Sequence, residues 1–110
     1  MNRKSLETYT DLINRLNLAL KNEVKVESAW LEGSLAKGTS HSRPDINLFF
    51  TIQDDSFERL WNQDRSWLLN CIPIRAIVIN EKFVSLLSDN GITVDIEALP
   101  LSELPKYKTH

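Results

Sequence analysis

The chain has 110 residues, 42% of them apolar and 25% charged, with a net charge of −2. That length argues for one domain with a core that needs no disulfide, and the absence of a basic block argues against nucleic acid as a partner. The lone cysteine, Cys71, excludes an internal disulfide, and no Cys/His pair has zinc spacing; a reducing, cytoplasmic setting is the expectation.

The opening MNRKSLETYTDLINRLNLAL has its apolar positions interrupted by charged and polar ones, unlike a signal peptide. Leu6, Tyr9, Leu12, Ile13, Leu16 and Leu20 recur at steps of three and four, which predicts an amphipathic helix over residues 3–21. VKVESAWLE follows as a strand. Its apolar groups fall on both faces (Val24, Val26 and Trp30 against Ala29 and Leu31), which predicts a central place in a sheet. GSLAKG then breaks the strand, and Ser34 to Lys37 are expected to form a helical turn ended by Gly38. TSHSRP reads as loop and DINLFFTI as the second strand.

Asp55 with Glu58 has the spacing of a capping box and predicts a helix over 56–70, with Phe57, Leu60, Trp61, Trp67 and Leu68 as its buried stripe. Pro73 stops it. IRAIVIN predicts a third strand. FVSLL and ITVDIEAL flank SDNG, and Asn90-Gly91 predicts a hairpin between them. The most apolar run, CIPIRAIVI, is too short to span a membrane and contains Arg75. The tail LSELPKYKTH starts like a helix or loop. The expected class is therefore α/β (α+β), a mixed sheet flanked by helices.

Three short features carry chemistry. Gly33-Ser34 lies between a strand and a helical turn, where a backbone without Cβ and free N–H groups suits a phosphate, and a plain strand–turn junction uses the same pair. Asp45 and Asn47 are two apart on a strand and share a face with Phe49 and Thr51; their bases stand roughly 7 Å apart at about 3.3 Å of rise per residue. Two such oxygens converge on one cation, or they mark a solvated strand start after Pro44. Asp95 stands mid-strand, facing away from Ile92, Val94, Ile96 and Ala98, with Glu97 on its own side. It wants a partner or a metal there, unless that side of the hairpin faces solvent.

Taken together, Leu31-Glu32-Gly33-Ser34, then Pro44-Asp45-Ile46-Asn47-Leu48-Phe49-Phe50, then Val94-Asp95-Ile96 resemble the nucleotidyltransferase superfamily, the group of polymerase-beta-like, aminoglycoside and minimal nucleotidyltransferases. SDNGITVDIEALPLSEL is similar to the hairpin of the antibiotic-modifying members, and the resemblance covers residues 25–103. It implies a nucleotidyltransferase-like fold and the transfer of a nucleoside monophosphate from a triphosphate, ATP by preference, to a hydroxyl acceptor. It implies that Gly33, Ser34 and Lys37 hold the phosphates, that Asp45, residue 47 and Asp95 hold Mg²⁺, and that Asp45 and Asp95 are catalytic.

Asn47 departs from that pattern, since an amide offers one neutral oxygen where a carboxylate offers charge and two. Three readings stand open. The chain is a non-catalytic relative, a regulatory or antitoxin-like module that binds a protein; or Glu97 substitutes for the missing carboxylate; or Asn47 is an introduced change that disables an enzyme. A second departure is length: the antibiotic-modifying members carry a further helical domain, so residues 1–110 are expected to be a minimal form that borrows surface from a second subunit, as in a homodimer, or the N-terminal part of a longer chain. His41 and Arg43 lie close enough to the loop to touch phosphate. The three tryptophans read as core by spacing, with Trp61 or Trp67 as candidates for a contact surface, and Cys71 reads as a buried spacer near a helix end.

Overall fold

A computed structural model describes the backbone of residues 3–32 and 45–104, and the side chains of 9–31 and 45–104. Helix α1 (Arg3–Asn22) leads into strand β1 (Val26–Glu32), and β2 (Asp45–Ile52) follows. A helical stretch runs from α2 (Asp54–Phe57) through a π-helical turn (Glu58–Gln63) to α3 (Ser66–Leu69). Strands β3 (Ile74–Ile79), β4 (Phe83–Ser88) and β5 (Thr93–Pro100) complete one five-stranded sheet in the order β1-β2-β5-β4-β3, and a 3₁₀ turn, Leu101–Glu103, follows. All neighbours are antiparallel except β2 and β5, which are parallel. This is the compact α+β class expected from the alternation of periods.

The expected helix 3–21 is present, and its stripe is buried where side chains are described: Leu12, Leu16 and Leu20 sit in the core, with Tyr9, Ile13 and Ala19 against it. Ile46, Leu48, Phe50 and Ile52 of β2, Val94, Ile96 and Ala98 of β5, and Val84 and Leu86 of β4 make one apolar sheet face. The rings of Trp61 and Trp67 meet Phe50 edge-on at 5.8 Å each, which places the 54–69 stretch on that same face. No helix among the described residues is long and apolar enough to cross a membrane.

Several sequence expectations need correction. β1 is an edge strand, not a central one: Ala29 is exposed, Leu31 is partly so, and Val24 precedes the strand and lies 79% exposed. Its second apolar face exists because Trp30 stacks on Phe49 of β2 at 5.6 Å, so Trp30 is half-buried on the open side of the sheet and is not core. Thr51, on the same face as Asp45 and Asn47, is fully buried, and its hydroxyl shares a 2.9 Å hydrogen bond with Ser28.

The helix expected over 56–70 is broken, and Asp55 does not cap it. The cap position is Gln53, so Asp55 is already inside α2. The break at Asp64, whose backbone is extended, has a local cause. The Trp67 indole N–H donates to Leu60 O at 2.7 Å and the Arg65 guanidinium to Trp61 O. Those carbonyls would otherwise accept from the next turn. Asp64 N–H reaches back to Arg59 O instead, a five-residue step.

The β4–β5 hairpin forms with a different loop from the two-residue turn that Asn-Gly favours. Gly91 N–H donates to Ser88 O and Ser88 N–H to Ile92 O, both at 2.9 Å, leaving a three-residue loop, Asp89 to Gly91. Gly91 alone takes positive φ, at +82°, among the described residues. That is a turn followed by one left-handed residue, a common three-residue hairpin.

Candidate functional site

The parallel pairing of β2 with β5 builds the site. With core residues at even positions on both strands, the odd positions are left on the opposite face. Asn47 stands in register with Asp95, Asp45 with Thr93, and Phe49 with Glu97. Across β4, Asp95 is in register with Ser85, and Glu97 with Phe83. Neighbouring strands lie about 4.8 Å apart, so Asp45, Asn47 and Asp95 share one patch. This is the juxtaposition on which the sequence reading rested. Gly33, Ser34, Lys37, His41 and Arg43 lie outside the described residues.

Each of the two strand carboxylates holds a neutral donor. Asn47 Nδ2 donates to Asp45 Oδ2 at 3.1 Å, and Ser85 Oγ donates to Asp95 Oδ1 at 2.6 Å. On α1, Tyr9 has its phenol pushed above the usual tyrosine value, first by burial and then by the negative charge of Asp45. That coupling brings Tyr9 within electrostatic reach of the patch.

Beside the patch lies an open cleft of about 410 Å³, walled by Asn47, Phe49, Phe83, Ser85, Asp95 and Glu97. Asp45 is at its margin, not in its lining. A larger groove of about 530 Å³ runs between α1 and α3, past Arg15, Leu18, Trp67 and Cys71. We place the site at the smaller cleft because Asn47, Ser85 and Asp95 line it together. The Cys71 thiol is raised from its usual value by burial, which makes it a poor nucleophile near neutral pH.

Among the described residues, no three His, Cys, Asp or Glu side chains gather as metal ligands. Among the described side chains, the donor set at the patch is two carboxylates and one amide oxygen, and Glu32 of β1 stands in register with Asn47. Magnesium keeps several waters and takes one or two carboxylates beside substrate phosphates. That set fits one hard cation that arrives with its own oxygen ligands. Glu97 is no replacement for a carboxylate at 47: it sits level with Phe49, two rungs along the ladder from Asp45.

Sequence reasoning missed Ser85, Tyr9 and the Trp30–Phe49 stack. Ser85 was accessible in principle, because counting back from the three-residue hairpin loop places it opposite Asp95. Tyr9 sat in the helix stripe with nothing to separate it from its leucine neighbours.

No family model matches the chain, and no curated protein matches it in sequence.

Proposed function

We propose that the Asp45–Asn47–Asp95 face binds a magnesium-complexed nucleoside triphosphate, ATP being the first to test, in a nucleotidyltransferase-like domain whose transfer of the nucleotide to a hydroxyl acceptor is slowed by Asn47. The observation that carries the reading is the register of β2 against β5, which sets Asn47 beside Asp95 and Asp45 one rung away, next to an open cleft. The resemblance in sequence supports it independently, through Gly33 and Ser34 just upstream and through the positions of the three strand residues.

In this reading Asp45, the Asn47 amide oxygen and Asp95 hold the magnesium, and Gly33, Ser34 and Lys37 hold phosphate. The cation supplies charge neutralisation for the triphosphate and its leaving group. Asp95 takes the proton of the acceptor hydroxyl, with Ser85 orienting the carboxylate. Phe49 and Trp30 offer a flat apolar wall at the cleft margin.

A second reading is favoured by a specific observation. Asp45 and Asp95 are each satisfied by a neutral donor without any cation, which suits a catalytically inactive regulatory or protein-binding module. Calorimetric titration with ATP and magnesium separates the two, run on the native chain and on Asn47→Asp. Metal-dependent heat from the native chain supports the nucleotide site. Heat only after the substitution identifies a disarmed site, and no heat from either removes the nucleotide reading.

A further inference from the structure

Strand β3 closes the sheet at the side away from β1, and no described residue pairs with its outer edge. Free edges are ordinarily blunted by prolines, by lysines or by a covering element. This one carries Ile77, Val78 and Ile79 in succession, 39%, 63% and 57% exposed. Phe83 on the neighbouring strand is 39% exposed. Three consecutive branched apolar residues on an unpaired edge expose both faces and the backbone at once, a surface suited to strand addition.

We infer that β3 is a homodimer edge, pairing antiparallel with β3 of a second copy about a two-fold axis through Val78. Hydrogen-bond phase and the ends of the strand select that register. Asn80 N–H donates to Phe83 O at 2.9 Å, so residues 80 and 78 spend their backbone groups on β4. The N–H and C=O groups of Ile77 and Ile79 therefore point outward. A symmetric pair must join outward residue to outward residue, which requires the axis to pass through a residue and not between two.

An axis at Ile77 sets Ile79 of the partner subunit against Arg75, where the β3 bulge interrupts the ladder, and one at Ile79 carries Ile77 past the end of the partner strand to the turn at Glu81 of the partner subunit; only an axis at Val78 gives both outward residues a strand partner. An axis at Val78 sets Ile77 against Ile79 of the partner subunit, twice over, and brings Arg75, at the β3 bulge, toward Glu81 of the partner subunit, in the turn after the strand. The result is an apolar centre with side chains of opposite charge toward each end, self-complementary as two-fold symmetry demands. Arg75 already gives one guanidinium N–H to Asp89 O at 2.7 Å, and a guanidinium has five. The two five-stranded sheets would join into one of ten strands, with both Asp45–Asp95 faces on the same side.

Pairing of two short strands buries less than the roughly 1,200 Å² of a standard stable interface, so the dimer is expected at tens of micromolar chain and above. Sedimentation equilibrium of the full chain over about 5–300 µM tests it, with circular dichroism checking each variant's fold. The native chain should shift from 12.7 kDa toward twice that mass. Val78→Lys, which sets two ammonium groups together on the axis, should raise the dissociation constant at least ten-fold. Arg75→Glu should weaken pairing, and Arg75→Glu with Glu81→Arg should restore it.

The register has its own readout. In a Cys71→Ser background, Val78→Cys should cross-link two copies on mild oxidation, because a residue on the axis meets itself. Ile77→Cys should not. A native chain that stays monomeric at about 300 µM overturns the inference. So does a dimer that is indifferent to Val78→Lys and fails to cross-link through position 78.

Discussion

Asn47→Asp tests the electrostatics of the candidate site without any ligand. In the native chain Asn47 donates to Asp45 and stands in register with Asp95. An aspartate there loses the donor and faces two carboxylates. Two unit charges about 5 Å apart repel by about 0.8 kcal/mol in bulk water and about 3 kcal/mol at an effective dielectric of 20. These side chains are half-exposed, so the lower part of that span applies to each pair, and the lost hydrogen bond adds about 0.5–1 kcal/mol. The sum is about 2 kcal/mol. For a domain of this size that is a fall of about 8 °C in Tm, measured by thermal unfolding in EDTA. Raising NaCl to 1 M, where the Debye length is about 3 Å, should recover part of the fall. Magnesium at 10 mM should recover about 1.4 kcal/mol if it binds the triple-acid variant at about 1 mM, with little effect on the native chain. Asn47→Ala, which loses the bond but adds no charge, should fall by about 1 kcal/mol only. If Asn47→Asp melts with or above the native chain in EDTA, the three side chains are not gathered as described.

Trp61→Ala should be among the most damaging single changes, costing about 3–5 kcal/mol in urea unfolding, because Trp61 is 1% exposed, meets Phe50 edge-on, and donates its indole N–H to Glu81 O at 3.1 Å. Arg65→Lys should cost about 1 kcal/mol by the same assay, since the guanidinium stacks 3.9 Å over the Trp61 ring and bonds backbone carbonyls that an ammonium cannot bridge together. Tyr9 titrates above the usual tyrosine value, so its contribution to stability is full below the unfolded-state tyrosine value and is lost as pH rises through the folded one. Asp45→Asn should lower its titration, followed by ultraviolet absorbance in a Tyr107→Phe background, and should leave in place the larger shift due to burial. Asp54 is held below the usual carboxylate value by the Ser102 backbone N–H at 3.0 Å. Its stabilisation is therefore present at neutral pH and lost as pH falls through the folded value, and the stability gap between native chain and Asp54→Asn should close on acidification.

Element type was legible wherever apolar period and length agreed. The stripe Leu12, Leu16, Leu20 specified α1, and strict alternation from Asp45 to Phe50 and from Val94 to Ala98 specified both the strands and their buried faces. What the sequence hid was neighbourhood. An edge strand and a central strand both show apolar residues on two faces when an aromatic pair such as Trp30 and Phe49 covers the open side. The helix break at Asp64 was hidden because side chains cause it: the Trp67 indole and the Arg65 guanidinium take carbonyls that propensity assigns to the helix. The site was half legible. Phase alone put Asp45 and Asn47 on one face and Asp95 on the same side as Glu97, whereas the rung-by-rung partners depend on the parallel pairing of strands some fifty residues apart.

Those partners show how the sheet tolerates an acidic face. Like charges directly opposite each other destabilise a sheet, and among the described residues none are: Asp95 lies between Asn47 and Ser85, Glu97 between Phe49 and Phe83, and Asp45 opposite Thr93. Two of the flanking residues donate hydrogen bonds to the carboxylates beside them. A carboxylate at 47 would break this arrangement at one stroke, because it would face Asp95 across the rung and lose its bond to Asp45. A face built around divalent cations has no need of such spacing, since the cations neutralise carboxylates that oppose each other. The alternation of acid with neutral donor around position 47 therefore satisfies Asp45 and Asp95 from within the chain. In the function proposed above, that arrangement is the one a nucleotide-borne magnesium would meet.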